Sequence, residues 1–301
     1  MTLSPSARPR ESGDPEPHGK ILDSRWSLCS GKPKAGPEYG NERWRGWRVV
    51  AVFAIVAATF PAMAETSLTE RKSGYDFMAR ETRAVQDDDT SNPGTLWVLD
   101  GQALWDRRTG AADKSCADCH GDARTSMKGV AARHPAFSPA LRRPVNLEQR
   151  INLCRTERQQ AKPLPYESKD LLALAAFVGR QSRGEPIAVS ADAQTRPFIE
   201  SGRATFLRRQ GQLNLSCAQC HDDNWSGRLA GNPVTQGQAT GYPIYRLEWQ
   251  NLGSLQRRLR NCFTGMRAVA PALGAPELVD LELYLMSRAR GMPMETPAVR
   301  P

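Results

Sequence analysis

The sequence predicts an all-α protein in which one helical unit occurs twice in tandem. The first observation is an internal repeat: GQALWDRRTG at residues 101–110 aligns with GRATFLRRQG at residues 202–211. The second is a pair of amphipathic patterns, residues 170–183 and 277–290, whose apolar positions fall on one helix face. The third is the lack of any alternating run of β-branched residues long enough to form a sheet.

A five-residue string of the form Cys-x-x-Cys-His occurs once in each copy of the unit. It reads CADCH at residues 116–120 and CAQCH at residues 217–221. Two thiols one helical turn apart, followed by an imidazole, are the arrangement that attaches a c-type haem covalently. A thioredoxin-like redox pair or half of a zinc site would explain neither the His nor the second copy. The sequence therefore predicts two covalently bound c-type haems, held by two tandem cytochrome c-like haem domains that arose by internal duplication.

Each string supplies two covalent attachment points and one axial ligand to the haem iron. The predicted covalent attachment residues are Cys116, Cys119, Cys217 and Cys220, and the predicted proximal ligands are His120 and His221.

The second axial ligand of each iron is not given by the strings. Of the four His, two lie in the strings and His18 lies in the N-terminal extension, so His134 alone could not complete both irons. The Met residues form no pair at matching positions of the repeat. Cys154 and Cys262 do form such a pair, 38 and 45 residues after the first Cys of their own strings.

Three interpretations of Cys154 and Cys262 compete. They could form a disulfide, as spare thiols of exported proteins usually do, or they could be inert apolar residues. Each could also be a thiolate ligand of its own haem. The repeat favours ligation, because equivalent positions of two domains generally face their own cores. An Arg lies four residues before each Cys, Arg150 and Arg258, where its charge favours a thiolate.

Residues 1–64 are predicted to be an N-terminal extension with a secretory signal peptide. Three Arg precede an apolar run of 12 residues at 49–60, and Ala-x-Ala follows at 62–64. Cleavage is expected near Ala64/Glu65, which places the mature protein in the periplasm. The run is shorter than the roughly 18–20 residues of a membrane-spanning helix, so no membrane anchor is expected after cleavage.

The formal net charge of +9 suits anionic small molecules or acidic protein partners. No nucleic-acid recognition motif is visible, so nucleic acid is not an expected partner.

The predicted division is an extension with signal peptide at 1–64, a first haem domain at 65–184, a linker at 185–200 and a second haem domain with the active site at 201–301.

The chain resembles the SoxA family, the dihaem subunit of SoxAX cytochromes, over residues 65–295. The resemblance rests on the two haem strings, on RINLC at residues 150–154 and above all on RLRNCFTGMRA at residues 258–268. In that family each haem carries His/Cys ligation, and the Cys ligand of the second haem is the reactive residue, often a persulfide. The resemblance therefore implies Cys154 and Cys262 as the remaining axial ligands.

The resemblance also implies an enzyme, an L-cysteine S-thiosulfotransferase of periplasmic thiosulfate oxidation. Cys262 would be the catalytic thiolate or persulfide, and Arg258 would bind thiosulfate ahead of the neighbouring Arg257, Arg260 and Arg267. The implied partners are a SoxX-like monohaem cytochrome c subunit, forming a heterodimer, and the SoxYZ carrier protein, whose Cys receives thiosulfate while electrons pass to c-type haem. The alternatives are a dihaem thiosulfate dehydrogenase that makes tetrathionate, a dihaem electron carrier without catalysis and a dihaem peroxidase.

Overall fold

The computed structural model describes residues 67–229 and 231–301. These residues lie within one compact unit, Ala62–Pro301. The predicted signal peptide, its cleavage site and the rest of the extension at 1–64 lie outside the described residues. Across the described part of the chain, none of the helices combines the length and the apolar character that crossing a bilayer requires.

Helices dominate the described residues. The α-helices are α1 (Arg80–Asp87), α2 (Gly94–Asp106), α3 (Ala117–His120), α4 (Ala123–Ser126), α5 (Leu147–Arg158), α6 (Lys169–Arg180), α7 (Arg196–Leu207), α8 (Cys217–His221), α9 (Leu255–Gly265) and α10 (Pro276–Arg288). Two 3₁₀ helices, Gly74–Phe77 and Ala131–Arg133, complete the helical content of these residues. The prediction of an all-α fold is confirmed.

Short strands, which the sequence did not predict, connect the helices. The pairs are β1 (Ala136–Ser138) with β2 (Arg143–Val145), β3 (Arg228–Leu229) with β4 (Asn232–Pro233), and β5 (Ile244–Arg246) with both β6 (Asn251–Gly253) and β7 (Ala298–Arg300). All pairings are antiparallel except that of β5 with β7. Strands of two or three residues are too short to show an alternating pattern, which is why the sequence carries no signal for them.

The two halves repeat the same helix packing. In the first half α2 crosses α6 at Gly101, where a Cβ would overlap the backbone carbonyl of Ala173. In the second half α7 crosses α10 at Gly202, where a Cβ would overlap the carbonyl of Asp280. These are the first glycines of the aligned repeat, so the structure confirms the internal duplication.

An aromatic pair packs one turn after each crossing. The ring centroids of Trp105 and Phe177 lie 5.7 Å apart in the first half, and those of Phe206 and Tyr284 lie 5.3 Å apart in the second. Both pairs use positions that the sequence alignment places in register. Their burial fills the space between the first and last helix of each half.

A β-hairpin precedes the cysteine-bearing helix in both halves. The hairpin β1–β2 leads to Asn146, whose side chain accepts a hydrogen bond from the Gln149 N–H (2.9 Å) and caps α5. The hairpin β5–β6 leads to Ser254, which caps α9 by accepting from the Arg257 N–H (3.1 Å). The capped start fixes the register of each helix and therefore the direction of its later residues.

The segment predicted as a linker, residues 185–200, is partly buried. Ile187 and Val189 belong to a large apolar cluster made mostly of residues from the second half. Helix α7 begins at Arg196, within the predicted linker. The boundaries 65–184, 185–200 and 201–301 stay a prediction.

A buried acidic pair lies where the two halves meet. Glu148 of α5 and Glu282 of α10 both line a cavity of about 60 Å³. Burial, together with the charge of Glu167, raises the pKa of Glu148 to about 7. Burial and the charge of Glu148 raise the pKa of Glu282 well above its usual value. At the position of the second half equivalent to Glu148, the chain has a neutral residue, Gln256.

We predict that Glu148→Gln makes the protein less sensitive to alkaline pH. A carboxyl whose folded pKa exceeds its unfolded pKa contributes stability below the unfolded value and loses it as the pH rises through the folded value. With a folded pKa of about 7, the loss falls between about pH 4.5 and pH 7 and amounts to about 2–3 kcal/mol. Calorimetric unfolding midpoints at pH 5 and pH 8 should therefore differ less for the variant. An equal pH dependence of the unfolding midpoint in the variant and the wild type would contradict the raised pKa of Glu148.

Candidate haem centres and active site

The first haem string forms a short capped helix, α3. The Ser115 N–H donates to Asp118 Oδ2 (2.8 Å), and the Asp118 N–H donates to Ser115 Oγ (3.0 Å). These bonds hold the turn that carries both thiols of the string. The Trp105 Nε1–H donates to the Gly121 carbonyl (3.2 Å), and its ring centroid lies 5.7 Å from that of His120. The aromatic pair of the first half thus supports the imidazole of its own string.

The second haem string, α8, is capped in the same way by Ser216 and Gln219. The Nδ1–H of His221 donates to the Thr235 carbonyl (2.7 Å), so Nε2 is the ring nitrogen that could bind a metal. A Cβ on Gly237 would lie 3.1 Å from Cγ of His221, so the missing side chain leaves room for the ring. The segment that contains Thr235 and Gly237 therefore sets the orientation of this imidazole.

A turn before each string docks onto the end of the cysteine-bearing helix of the same half. Gly110 has φ +72° and packs against the Gln159 carbonyl just past α5, and Gly211 has φ +73° and packs against the Met266 carbonyl just past α9. Neither position has room for a Cβ, and the positive φ also favours glycine. The docking ties the start of each haem string to the helix that carries the additional Cys.

Cys154 and Cys262 each lie beside the first Cys of their own string. Burial, and next the charge of Cys154, raises the pKa of Cys116; burial, and next the charge of Cys262, raises the pKa of Cys217 to about 12. All six cysteines of the described residues are free thiols, so Cys154 and Cys262 are not joined to each other. The duplicated packing directs each of these thiols into its own half.

Cys262 also faces the imidazole of the second string. Burial alone would raise the pKa of the Cys262 thiol, but hydrogen bonding with His221 and the positive charges of Arg258 and Arg246 outweigh it and bring the pKa below its ordinary value. A His nitrogen and a Cys sulfur that face each other are donors of the kind that a haem iron can bind.

Two of the four arginines near Cys262 have structural partners. Arg260 donates to the carbonyls of Ala270 and Pro271 and so fixes the loop after α9. The guanidinium of Arg257 lies 4.2 Å from the centroid of the Trp249 ring, in a cation–π contact. These two side chains serve the local fold.

Arg258 lies half-buried, one helical turn before Cys262. Its guanidinium makes no hydrogen bond or ion pair with any residue that the structure describes, and its charge acts on the Cys262 thiol. Arg267 is exposed, in a left-handed backbone conformation with φ +55°. Of the four arginines, Arg258 is therefore the one whose donors are available beside the thiol.

The sequence did not point to two further residues near Cys262. Tyr242 is half-buried, and burial raises its pKa while the charges of Arg258 and Cys262 act on its hydroxyl. Arg246 ends β5 and is buried. Both precede the motif at 258–268 and belong to no motif of their own. Arg246 ends the first strand of the hairpin and Tyr242 lies two residues before that strand, and these placements become visible only once the two halves are compared in three dimensions.

His134, the remaining His of the described residues, lies before β1. Its Nδ1 is 2.9 Å from the Val130 carbonyl, and burial lowers its pKa. It lines the cavity beside Glu148 and Glu282 rather than a haem string.

The donor set fits c-type haem in both halves. Each half presents two thiols one turn apart, an adjoining imidazole and a further thiol beside the string. In the second half the imidazole has Nδ1 bound to a carbonyl and its Nε2 left as the possible metal donor, and the glycine at 237 leaves room for the ring. These are the features that haem attachment and axial ligation require.

Comparison with known proteins gives the family. The family described as SoxA/TsdA, cytochrome c domain, matches residues 100–187 and 201–294, which contain both haem strings. The L-cysteine S-thiosulfotransferase subunit SoxA of Pseudaminobacter salicylatoxidans is 39% identical over 232 residues, covering 77% of this chain and 81% of the relative. The chain belongs to the SoxA family.

Further SoxA-family members are similar over comparable lengths. The L-cysteine S-thiosulfotransferase subunit SoxA of Rhodovulum sulfidophilum is 37% identical over 246 residues, 82% of this chain and 86% of that protein. The crystal structure of SoxXA from P. pantotrophus contains a chain that aligns with a TM-score of 0.74 at 32% identity, covering 77% of this chain and 87% of that one. The predicted family and fold are confirmed, and a cytochrome c domain implies covalently bound c-type haem.

We predict that Gly237→Ala displaces the His221 ring and weakens its bond to iron. The added Cβ would lie 3.1 Å from Cγ of His221, closer than ordinary van der Waals contact. The visible spectrum of the oxidised variant should show an increased high-spin fraction, with covalent haem content unchanged. Gly231→Ala is the matched control, because Gly231 has a similar φ of +82° and open space around it. Equal spectra for both variants would contradict the positioning role of this segment.

Proposed function

We propose that this SoxA-family chain conjugates thiosulfate oxidatively to a Cys of a SoxYZ carrier protein. Its family membership makes it a sulfur-transferase enzyme subunit, as the names of its curated relatives indicate. The observation that carries the proposal is the Cys262 thiol, which faces His221 and lies beside the unpartnered guanidinium of Arg258. A thiolate next to a fixed cation suits sulfur chemistry on an anionic substrate.

Two haems are part of the proposal. The first would be bound through Cys116 and Cys119 with His120 and Cys154 as axial ligands, and the second through Cys217 and Cys220 with His221 and Cys262. When bound, the two haems would supply the iron that the thiolates of Cys154 and Cys262 bind, and they would accept the electrons of the reaction. A thiolate ligand donates electron density strongly, so both irons would have low reduction potentials.

The residues of the second half bind and orient thiosulfate. Arg258 would hold the dianion through its sulfonate oxygens, with the outer sulfur directed to Cys262. A guanidinium binds such oxygens in a fixed fork and neutralises charge that the reaction concentrates near the thiolate. Hydrogen bonding with His221 and the charges of Arg258 and Arg246 outweigh burial and lower the pKa of Cys262, which favours the nucleophilic thiolate form.

The proposed reaction proceeds in two steps. In the first, the Cys262 thiolate and the outer sulfur of thiosulfate form an S–S bond, and the two electrons released would pass to c-type haem. In the second, the thiolate of the carrier Cys attacks the sulfur bonded to Cys262, which frees the Cys262 thiolate and leaves the thiosulfonate group on the carrier. The second step is a thiol–disulfide exchange with no net redox change.

The proposed setting is the periplasm, after removal of the signal peptide near Ala64/Glu65. A SoxX-like monohaem cytochrome c subunit would form a heterodimer with this chain and take the electrons onward. The solved structure of SoxXA from P. pantotrophus, a complex by its title, supports this pairing.

A dihaem thiosulfate dehydrogenase is the nearest alternative, since the matching family description covers both SoxA and TsdA. Such an enzyme makes tetrathionate and needs no carrier. The curated relatives at 37–39% identity are named as SoxA subunits, which favours the transferase.

We predict that Cys262→Ala lowers thiosulfate-dependent turnover at least about a thousandfold, as expected for loss of a nucleophile. Covalent haem should be retained, because Cys217 and Cys220 provide its attachment. The assay would follow cytochrome c reduction by the complex with SoxX in the presence of SoxYZ. Thr264→Ala, an exposed position of the same helix, is the matched control. Wild-type turnover by Cys262→Ala would contradict the catalytic role of Cys262.

Product analysis separates the transferase from the dehydrogenase. Mass spectrometry should show a thiosulfonate adduct on the carrier Cys, and thiosulfate consumption should stop when the carrier is omitted. Tetrathionate formed without the carrier, at a comparable rate, would show the dehydrogenase instead.

A further inference from the structure

The two halves of the molecule share the features that first indicated a reactive site. Each has a Cys beside its haem string and an Arg four residues earlier, so these residues do not distinguish a catalytic half from a structural one. The hairpins before α5 and α9 do differ. In β1–β2, Ser138 pairs with Arg143; in β5–β6, Arg246 pairs with Asn251 in the same register. Arg246 therefore takes the place that Ser138 has in the first half.

The Arg246 side chain is held rigidly and is not fully bonded. The residue is only 8% exposed. Its Nη2 donates to Glu248 Oε2 (2.8 Å), and its guanidinium lies 5.2 Å from the centroid of the Trp249 ring. Its Nε is buried and has no hydrogen-bond partner among the described residues. A buried donor without a partner is costly, and an acceptor supplied by a ligand would remove that cost.

The contacts that hold Arg246 extend to α9, the helix that carries Cys262. Trp249 packs against Gly253, where a Cβ would overlap the indole ring, and its ring also contacts the guanidinium of Arg257. Gly253 is followed at once by Ser254, the cap of α9. The end of β5 is thus fixed relative to α9, and the charge of Arg246 acts on both Cys262 and Arg258.

We propose that Arg246 is a second anion-binding residue of the Cys262 site, and that it orients thiosulfate together with Arg258. The inference rests on the proposed function and assigns to that site a residue outside the motif at 258–268. Thiosulfate carries two negative charges, and Arg258 would oppose its charge while Arg246, whose Nη2 is already paired with Glu248, would add a hydrogen-bond donor from a different element. The free Nε of Arg246 would donate to a sulfonate oxygen, so that the dianion is held from the β5 side as well as from α9.

The first half has a different set of cations: Arg143 pairs with Ser138 in its hairpin, and the charge of Arg155, next to Cys154, acts on Cys116. Ser138 is uncharged, and Arg150, the equivalent of Arg258, is exposed. An arginine at the end of the first hairpin strand, with its charge acting on the additional thiol, is thus a feature of the second half alone among the described residues.

The test compares Arg246→Gln and Arg246→Lys in the full complex with SoxX, using thiosulfate as the varied substrate and SoxYZ as carrier. Loss of a charged hydrogen bond should raise the KM for thiosulfate about tenfold or more in Arg246→Gln, with kcat within about twofold. Arg246→Lys keeps the charge but lacks the fork geometry, so its KM should rise about threefold. Ser138→Ala is the matched control at the equivalent position, and its KM should stay at the wild-type value.

A wild-type KM in Arg246→Gln, with full haem content, would overturn the inference. A fall in kcat with an unchanged KM would do the same, because it would indicate a structural role. If Arg246→Gln fails to incorporate haem, Arg246→Lys decides: a KM equal to that of the wild type contradicts the inference. Failure of the proposed function is distinguishable, since the wild-type complex itself would then not turn over thiosulfate with the carrier.

Discussion

The distance between each haem string and its additional thiol depends on one docking contact. The turn at Gly110 packs its backbone against the end of α5, and the turn at Gly211 packs against the end of α9. Since the string follows the turn and the thiol lies one turn before the helix end, this contact brings Cys154 and Cys262 to their own strings. The helix crossings at Gly101 and Gly202 fix the first and last helices of each half against each other.

The two halves share one backbone arrangement but carry different side chains. The proposed chemistry of the second half follows from these differences. Both halves offer a His, a thiol and an Arg four residues before the thiol. The second half adds the buried Arg246 and the half-buried Tyr242 around its thiol. The helix crossings and docking turns are fixed by close backbone contacts at glycines. Side chains of the hairpin can therefore change without moving the residues predicted to bind haem. The anion site proposed for the second half would therefore need few side-chain changes relative to the first half.

The sequence predicted the features whose signals are local or repeated, and the structure and family confirm the helical fold, its duplication and the SoxA family. The strings at 116–120 and 217–221, the pair Cys154 and Cys262, and the amphipathic helices are all visible as patterns of spacing. The short strands are not, because two or three residues show no periodicity. Arg246 is not visible either, since its role depends on burial and on a hairpin register that no sequence spacing reports.

The account rests on a thiolate ligand at each haem, and electron paramagnetic resonance of the oxidised holoprotein tests it most directly. Two low-spin haem signals with the g-values of His/thiolate ligation are predicted, one for the first half and one for the second. A signal of His/Met or bis-His ligation at the second centre would contradict the account, because Cys262 would then not be the ligand beside the substrate site.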